Sequence, residues 1–259
     1  MKLQGKNVVV TGGGNGIGRA LCERFAGEQA CGIVVADINF ADAQKTADDL
    51  GDIAKPFECD ISVESQVQKL VEFSERQLGQ IDLFCSNAGI ALGEGLESSN
   101  EHWRRIIDVN LMSHIYAARA VIPHMVKRGS GYLLHTASAA GLLTEMSSAP
   151  YSVTKHGVVS LAEWLAIEYA AKGIKVSCLC PQGVQTPMLD GIDGPFAEML
   201  KENSISPEAV ADAVVAALAA ERFLVLPHPE VSEYFQRKAT DYDRWLRGMQ
   251  RLKQSMHSP

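Results

Sequence analysis

Among its six cysteines (22, 31, 59, 85, 178 and 180) the sequence has no C-x-x-C pair, and its seven histidines (102, 114, 124, 135, 156, 228 and 257) form no H-E-x-x-H or comparable cluster. A metal ion is therefore not expected. Most of the cysteines lie in apolar segments such as Phe84-Cys85 and Val176 to Cys180, and they read as buried free thiols. Basic residues are in deficit: Lys plus Arg number 24 against 31 Asp plus Glu, a net charge of −7. A phosphate-backbone binder needs a basic face, so nucleic acid is not an expected partner. No stretch reaches the roughly 18 to 20 apolar residues of a membrane-spanning helix. Met1 to Lys6 lead directly into Asn7-Val8-Val9-Val10, without the apolar region and small-residue cleavage site of an export signal. No membrane partner is expected, and the expected location is the cytoplasm. There is no Pro-, Gly- or Ser-rich linker before residue 187 and no internal repeat, so residues 1–259 are expected to form one domain.

What recurs is a beat of short apolar runs at residues 7–11, 32–36, 55–59, 81–86, 131–137, 174–180 and 223–227, separated by longer segments of helical periodicity. One such segment carries Val63, Val67, Leu70, Val71 and Leu78 behind Ser62, a candidate N-cap. Continuous apolar strands joined by helix-length connections pair in parallel, and right-handed crossovers put the helices on both faces. The expected fold class is α/β, a single-domain doubly wound (Rossmann) parallel sheet of about seven strands. Residues 187–206 break the beat with glycine, proline and scattered large apolar residues, and read as a mobile insertion rather than a core element. Residues 229–259 form a helical tail in which Phe235, Ala239, Tyr242, Trp245, Leu246 and Met249 fall about one turn apart.

The first strand runs into Thr11-Gly12-Gly13-Gly14-Asn15-Gly16-Ile17-Gly18 and then a helical segment from Arg19. A strand, a glycine turn and a helix start bring backbone N–H groups and the positive end of the helix dipole toward a diphosphate. Asp37 follows about 20 residues later, at the end of the second strand, where a carboxylate accepts hydrogen bonds from ribose hydroxyls. The same residue is also suited to capping the next helix. Neither Gly13 to Asn15 nor Ile38-Asn39 supplies an Arg or Lys to offset a ribose 2′-phosphate, so the expected cofactor is NAD rather than NADP.

Tyr151 and Lys155 are four residues apart, which stacks them on one helical face. A free phenol has a pKa of about 10, and a neighbouring ammonium and an oxidised nicotinamide both favour its ionised form. Ser138 ends the strand segment Tyr132 to Ala137, at the sheet edge where such folds bind ligands, and its hydroxyl suits a substrate oxygen.

With these residues assembled, the chain resembles the short-chain dehydrogenases/reductases: TGGGNGIG at 11–18, Asp60 after the third strand, Asn87-Ala88-Gly89 after the fourth, Asn110, Ser138 and Tyr151-x-x-x-Lys155. The likeness extends from residue 5 to about 227. It implies an oxidoreductase that moves a hydride between an alcohol and a ketone. Tyr151 would then be the general acid/base, Lys155 would bind the nicotinamide ribose and lower the tyrosine pKa, Ser138 would orient the substrate oxygen and Asn110 would hold a relay water. Gly12, Asn15, Gly16, Ile17 and Gly18 would face the diphosphate, and Asp37 the adenosine ribose. Asp60 and Ile61 would lie near the adenine, Asn87, Ala88 and Gly89 against its ribose, and Val184 and Thr186 at the carboxamide. One departure stands out: where the family usually has Pro-Gly, this chain reads Pro181-Gln182-Gly183-Val184-Gln185-Thr186.

By the same resemblance, Ile90 to Leu96, Ala139 to Met146, Met188, Leu189, Ile192, Phe196 and Met199 surround the reacting carbon, with Lys201 the only basic residue in these stretches. That lining favours a largely apolar alcohol or ketone over an anionic substrate. Alternatives are a ketone or 3-oxoacyl reductase and, in a different class, a catalytically silent NAD sensor. Segments 99–127 and 150–171 carry apolar faces beyond the needs of one sheet, and the resemblance implies that the equivalent helices pair subunits, so a homodimer or homotetramer is expected.

Overall fold

A computed structural model describes residues 1–91 and 95–256. Leu92, Gly93 and Glu94, within the stretch expected near the reacting carbon, lie outside the described residues, as does His257. Seven strands, β1 (Asn7–Thr11), β2 (Gly32–Asp37), β3 (Ala54–Glu58), β4 (Leu83–Ser86), β5 (Gly131–Thr136), β6 (Ile174–Leu179) and β7 (Leu224–Val225), form one sheet. The order is β3-β2-β1-β4-β5-β6-β7 and every pair is parallel. The expected doubly wound α/β sheet is present.

The strands read as unbroken apolar runs because both faces are covered. Successive side chains alternate: Val9, Val34, Phe84 and Leu133 enter one core layer, while Val8, Val10, Ile33, Val35, Leu83 and Leu134 enter the other. The first five helices are α1 (Gly16–Gly27), α2 (Phe40–Leu50), α3 (Glu64–Leu78), α4 (Asn100–Ile107) and α5 (Ser113–Arg128). Between α4 and α5 the chain widens into a π-helical turn at Asp108–Met112. Then come α6 (Ala140–Leu143), α7 (Ala149–Tyr169), α8 (Pro187–Asp190), α9 (Pro195–Glu202) and α10 (Pro207–Ala220). The tail forms α11 (Glu230–Thr240) and α12 (Tyr242–Ser255). Among the described residues no helix is long and apolar enough to cross a membrane.

Several expectations are corrected. Ser62 is not the cap of α3: Val63 holds the cap position, and the Ser62 hydroxyl donates instead to Asp60 Oδ1 at 2.6 Å. The carboxylate two residues back is a stronger acceptor for that hydroxyl than a helix end is a donor to it. Residues 187–206 are not a structureless insertion but fold into α8 and α9, because Leu189 and Ala197 find buried sites. Cys31, unlike the other five free cysteines, is exposed. In the tail Phe235, Tyr242 and Leu246 face solvent, while Tyr234 and Trp245 pack on the core. The tail is moored by Lys238, buried at 5% exposure, whose Nζ donates to the Leu142 carbonyl at 2.6 Å and lies 5.3 Å from the Tyr242 ring centre. That contact satisfies a carbonyl of the short helix α6 and brings α11 and α12 to the carboxyl edge of the sheet.

Phe84 is fully buried on β4, beside the strand β1 that begins the glycine turn. Phe84→Ala should cost about 3–5 kcal/mol of unfolding free energy. Urea unfolding checks this, and a loss under about 1 kcal/mol would mean the site can collapse without a cavity.

Candidate active site

The glycine turn is closed around its own backbone. Gly12 has φ +66, and a Cβ there would lie 2.9 Å from Ala88 Cα; a Cβ on Gly18 would lie 1.9 Å from the Gly12 carbonyl oxygen. Only glycine fits either position. Asn15 caps α1, its side chain accepting from Gly16 N at 2.6 Å, so the helix start is presented without bulk. Asp37 Oδ2 accepts from Gly14 N and Oδ1 from Asn39 N, both at 3.0 Å. Asn39, not Asp37, caps α2. Asp37 has no cationic partner among the described residues, and its carboxylate has acceptor sites left over for a ligand.

Asn87 stitches three strands at this edge. Its Nδ2 donates to the Thr11 carbonyl at 3.1 Å, and its Oδ1 accepts from Thr136 Oγ1 at 3.1 Å. Its N–H and that of Ala88 donate to Thr11 Oγ1 at 2.9 and 3.2 Å. Asp60 is held by the Ser62 N–H at 2.9 Å and by Arg105 at 3.7 Å. Although burial raises its pKa, the Ser62 hydrogen bonds and the Arg105 charge outweigh that and hold the carboxyl below its usual range.

Ser148 caps α7, accepting from Tyr151 N at 3.2 Å, and Glu145 arranges the cap by accepting from Ser147 N at 2.5 Å and Ser148 N at 2.6 Å. Tyr151 thus sits in the first turn of α7 and Lys155 in the second. Burial pushes the Tyr151 phenol up to about 12, against a hydrogen bond with Ser138 that lowers it. Ser138 Oγ also lies 3.3 Å from the Pro181 carbonyl and accepts from Ala140 N at 3.1 Å. Lys155, 4% exposed, reaches the end of β5, where Nζ donates to the Thr136 carbonyl at 3.0 Å. That is its one hydrogen bond among the described residues, so two of three N–H donors are left over in a buried place. Burial pushes its pKa down to about 8, partly offset by the Cys180 and Cys178 thiols. Burial sets the raised phenol pKa of the protein alone, whereas the expected lowering needs Lys155 together with an oxidised nicotinamide.

Asn110 is wholly buried within the π-helical turn, and its side chain holds the Ile90 backbone: Oδ1 accepts from Ile90 N and Nδ2 donates to Ile90 O, both at 2.8 Å. It clamps the segment after Gly89. The unusual Pro181-Gln182-Gly183 turn is pinned by His228, whose Nδ1 accepts from Gln182 N at 3.2 Å and whose Nε2 meets the Gly183 carbonyl at 3.1 Å. Thr186 Oγ1 donates to the Val184 carbonyl at 3.1 Å. Behind Lys155 lies a buried pair, His114 and His135, with their Nδ1 atoms 2.9 Å apart. Burial pushes His135 down to about 4 and lowers His114 as well. Sequence reasoning missed His228, Glu145, Lys238 and this pair, since none stands in a motif.

All the expected site residues except Asn110 line one cleft of about 1410 Å³ at the carboxyl edge of the sheet. Leu143, Met146, Leu189, Ile192, Phe196 and Met199 give part of it apolar walls. Lys201 is turned away from ligand duty, its Nζ donating to the Ile192 carbonyl at 2.8 Å. The tail, whose partner surface the sequence leaves open, supplies the remaining wall.

The family model for short chain dehydrogenase matches residues 6–194. The chain belongs to the short-chain dehydrogenases/reductases. This short-chain dehydrogenase is 35% identical over 237 residues to 1-deoxy-11-beta-hydroxypentalenate dehydrogenase of Streptomyces exfoliatus, covering 89% of this chain and 86% of the relative. It is 36% identical over 223 residues to cyclohexanol dehydrogenase of an Acinetobacter species, covering 82% and 87%. A short-chain dehydrogenase/reductase of Burkholderia phymatum solved in complex with NAD superposes with a TM-score of 0.86 at 29% identity, over 94% of this chain and 96% of that one. The short-chain dehydrogenase described here is thus an oxidoreductase with a nicotinamide dinucleotide site. Its residues fit the group: a side-chain-free cradle at the start of α1, a free carboxylate at the end of β2, and a buried ammonium with spare donors. Gly12→Ala forces both a positive φ and a clash with Ala88, and should weaken NADH binding by at least about ten-fold. Fluorescence titration reads this directly; unchanged affinity would take the turn out of the cofactor site.

Proposed function

We propose that this enzyme uses NAD to interconvert a largely apolar secondary alcohol and its ketone, with Tyr151 as the general acid/base. The observation that carries the reading is the Tyr151 phenol hydrogen-bonded to Ser138, one helical turn from a buried Lys155 with donors to spare. The unpaired Asp37 favours NAD, because a ribose 2′-phosphate would bring like charge against it with no cation to compensate. The apolar walls favour a neutral carbon skeleton around the reacting carbon, in keeping with relatives named for cyclohexanol and a hydroxypentalenate.

In the oxidative direction Ser138 and Tyr151 hydrogen-bond the alcohol oxygen, and the Tyr151 phenolate takes its proton as the carbon–oxygen bond becomes a carbonyl. In the reverse direction the phenol returns that proton. When bound, the dinucleotide supplies the hydride acceptor or donor. Lys155 would offer its spare N–H donors to the ribose hydroxyls of a bound dinucleotide, and its charge, with that of the oxidised cofactor, would oppose the burial that holds the phenol proton on. Asn110 is a positioning residue that fixes Ile90, and Asn87 holds the strand ends under the cofactor.

Tyr151→Phe removes the proton acceptor and should lower kcat by about 10² to 10⁴. Because burial raises the tyrosine pKa, the phenolate fraction grows with pH, so alcohol oxidation by the native enzyme should rise by up to about ten-fold per unit between roughly pH 6 and 9. Lys155→Met should move that rising limb to higher pH. Reduced-cofactor absorbance with a panel of neutral alcohols reads both effects; a flat profile, or full activity in Tyr151→Phe, would sink the assignment. A silent sensor would bind NAD and turn over nothing.

The outer face of α7 carries a stripe, Val153, Gly157, Ser160, Trp164 and Ile167, at i, i+4, i+7, i+11 and i+14. Val153, Trp164 and Ile167 are exposed, and the reading is that this face pairs subunits. Light scattering at micromolar concentration should find a dimer or tetramer, and Trp164→Glu with Ile167→Glu should yield monomers. A monomeric native protein would contradict the pairing.

A further inference from the structure

The tail helix α12 lays two rows of side chains along the outer wall of the cleft. Trp245, Met249 and Leu252 form an apolar row. Arg244, Gly248 and Arg251, each one position earlier, repeat the same i, i+4, i+7 spacing, and all six residues line the cleft. Neither guanidinium of the second row has a hydrogen bond or an ion pair with any described residue, whereas Arg237 on the neighbouring helix is paired with Glu233.

Gly248 between them is unexplained by packing. A Cβ there would meet nothing within 4 Å, and the residue lies inside the helix rather than at a turn. Glycine weakens a helix interior relative to alanine, so its presence calls for another reason. Its effect is a notch in the helix surface, flanked by two long cationic arms about 10 Å apart along the axis. The chain as a whole carries a net charge of −7, yet residues 242–255 hold Arg244, Arg247, Arg251 and Lys253 against Asp243 alone. The tail also lines the cleft with Glu230, Glu233 and Asp241, of which Glu233 is paired with Arg237, so Arg244 and Arg251 are the cleft-lining tail cations without an ion pair among the described residues.

From this juxtaposition, and resting on the alcohol–ketone reading above, we propose that the Arg244–Gly248–Arg251 face is an anion subsite. The substrate is then an apolar alcohol or ketone that carries a carboxylate remote from its reacting carbon. The hydrocarbon body lies along the Trp245 row and the apolar walls. The carboxylate enters the notch at Gly248, where two guanidiniums close on it with charge-assisted hydrogen bonds.

Calorimetric titration of the whole protein without cofactor, using decanoate and 1-decanol as probes, tests this independently of turnover. At low salt decanoate should bind at least about ten-fold tighter than 1-decanol, and the preference should weaken as salt is added. In the double variant Arg244→Met, Arg251→Met the preference should fall below about two-fold. Gly248→Asp, which fills the notch with a like charge, should do the same, while Arg244→Lys with Arg251→Lys should keep most of it. Equal binding of the two probes by the native protein, binding of neither, or a preference that survives the methionine and aspartate variants would overturn the subsite. Should the methionine variant lose 1-decanol as well, its cleft is lost, and the Gly248→Asp result decides. None of these outcomes touches Tyr151-dependent turnover of neutral alcohols, so the two readings fail separately.

Discussion

Lys155 spans from α7 to the end of β5, where its ammonium is buried, donates to one backbone carbonyl and meets no carboxylate. A buried cation without a counter-charge is costly, and the fold tolerates it because the group is only one step from the cleft. The rest of the site is arranged around that cost. Burial holds the lysine pKa down to about 8 and the tyrosine up to about 12, so the same dry wall disfavours the charged form of each group. A ligand that fills the spare donors of Lys155 and brings positive charge near Tyr151 relieves both strains at once. The protein alone therefore holds its acid/base in reserve, and the chemistry becomes available when the cleft is filled.

That economy depends on the sheet. Parallel strands end together at one edge, so Gly12, Asp37, Asn87, Thr136 and Ser138 arrive from the ends of four different strands within a single cleft. Asn87 spends its amide on the Thr11 carbonyl and the Thr136 hydroxyl, and Asn110 its own on the Ile90 backbone, which makes them the braces of this edge. The Pro181-Gln182-Gly183 turn, where the chain departs from its family, is braced by His228 from beyond β7. Lys238 performs the corresponding task for the tail by capping α6.

The fold was largely legible because the strands are buried on both faces, and such strands announce themselves as unbroken apolar runs; even the short β7 lay within one of them. The glycine turn and the Tyr151–Lys155 pair were legible because their spacing is imposed locally, by a turn and by one helical repeat. What was hidden depends on long-range contact. Ser62 looked like a cap until Asp60 was seen to claim its hydroxyl. The insertion looked mobile because Leu189 and Ala197 reveal their buried sites only once the sheet edge is built. The tail showed helical periodicity, yet Trp245 turns inward and Leu246 outward, a distinction that a count of apolar residues cannot make. The burial of the tyrosine is hidden for a related reason: spacing shows a neighbouring charge but not the dry surroundings that raise the phenol pKa.

The central claim is that ligand binding, not Lys155 alone, makes the Tyr151 phenol an effective proton acceptor. Ultraviolet difference titration of the phenol, native protein minus Tyr151→Phe, with and without saturating NAD, tests it most directly. The account predicts that Tyr151 titrates above the ordinary tyrosine value of about 10 in the bare protein and clearly below it with NAD bound. A Tyr151 signal that stays at or above that value in the NAD complex would contradict it.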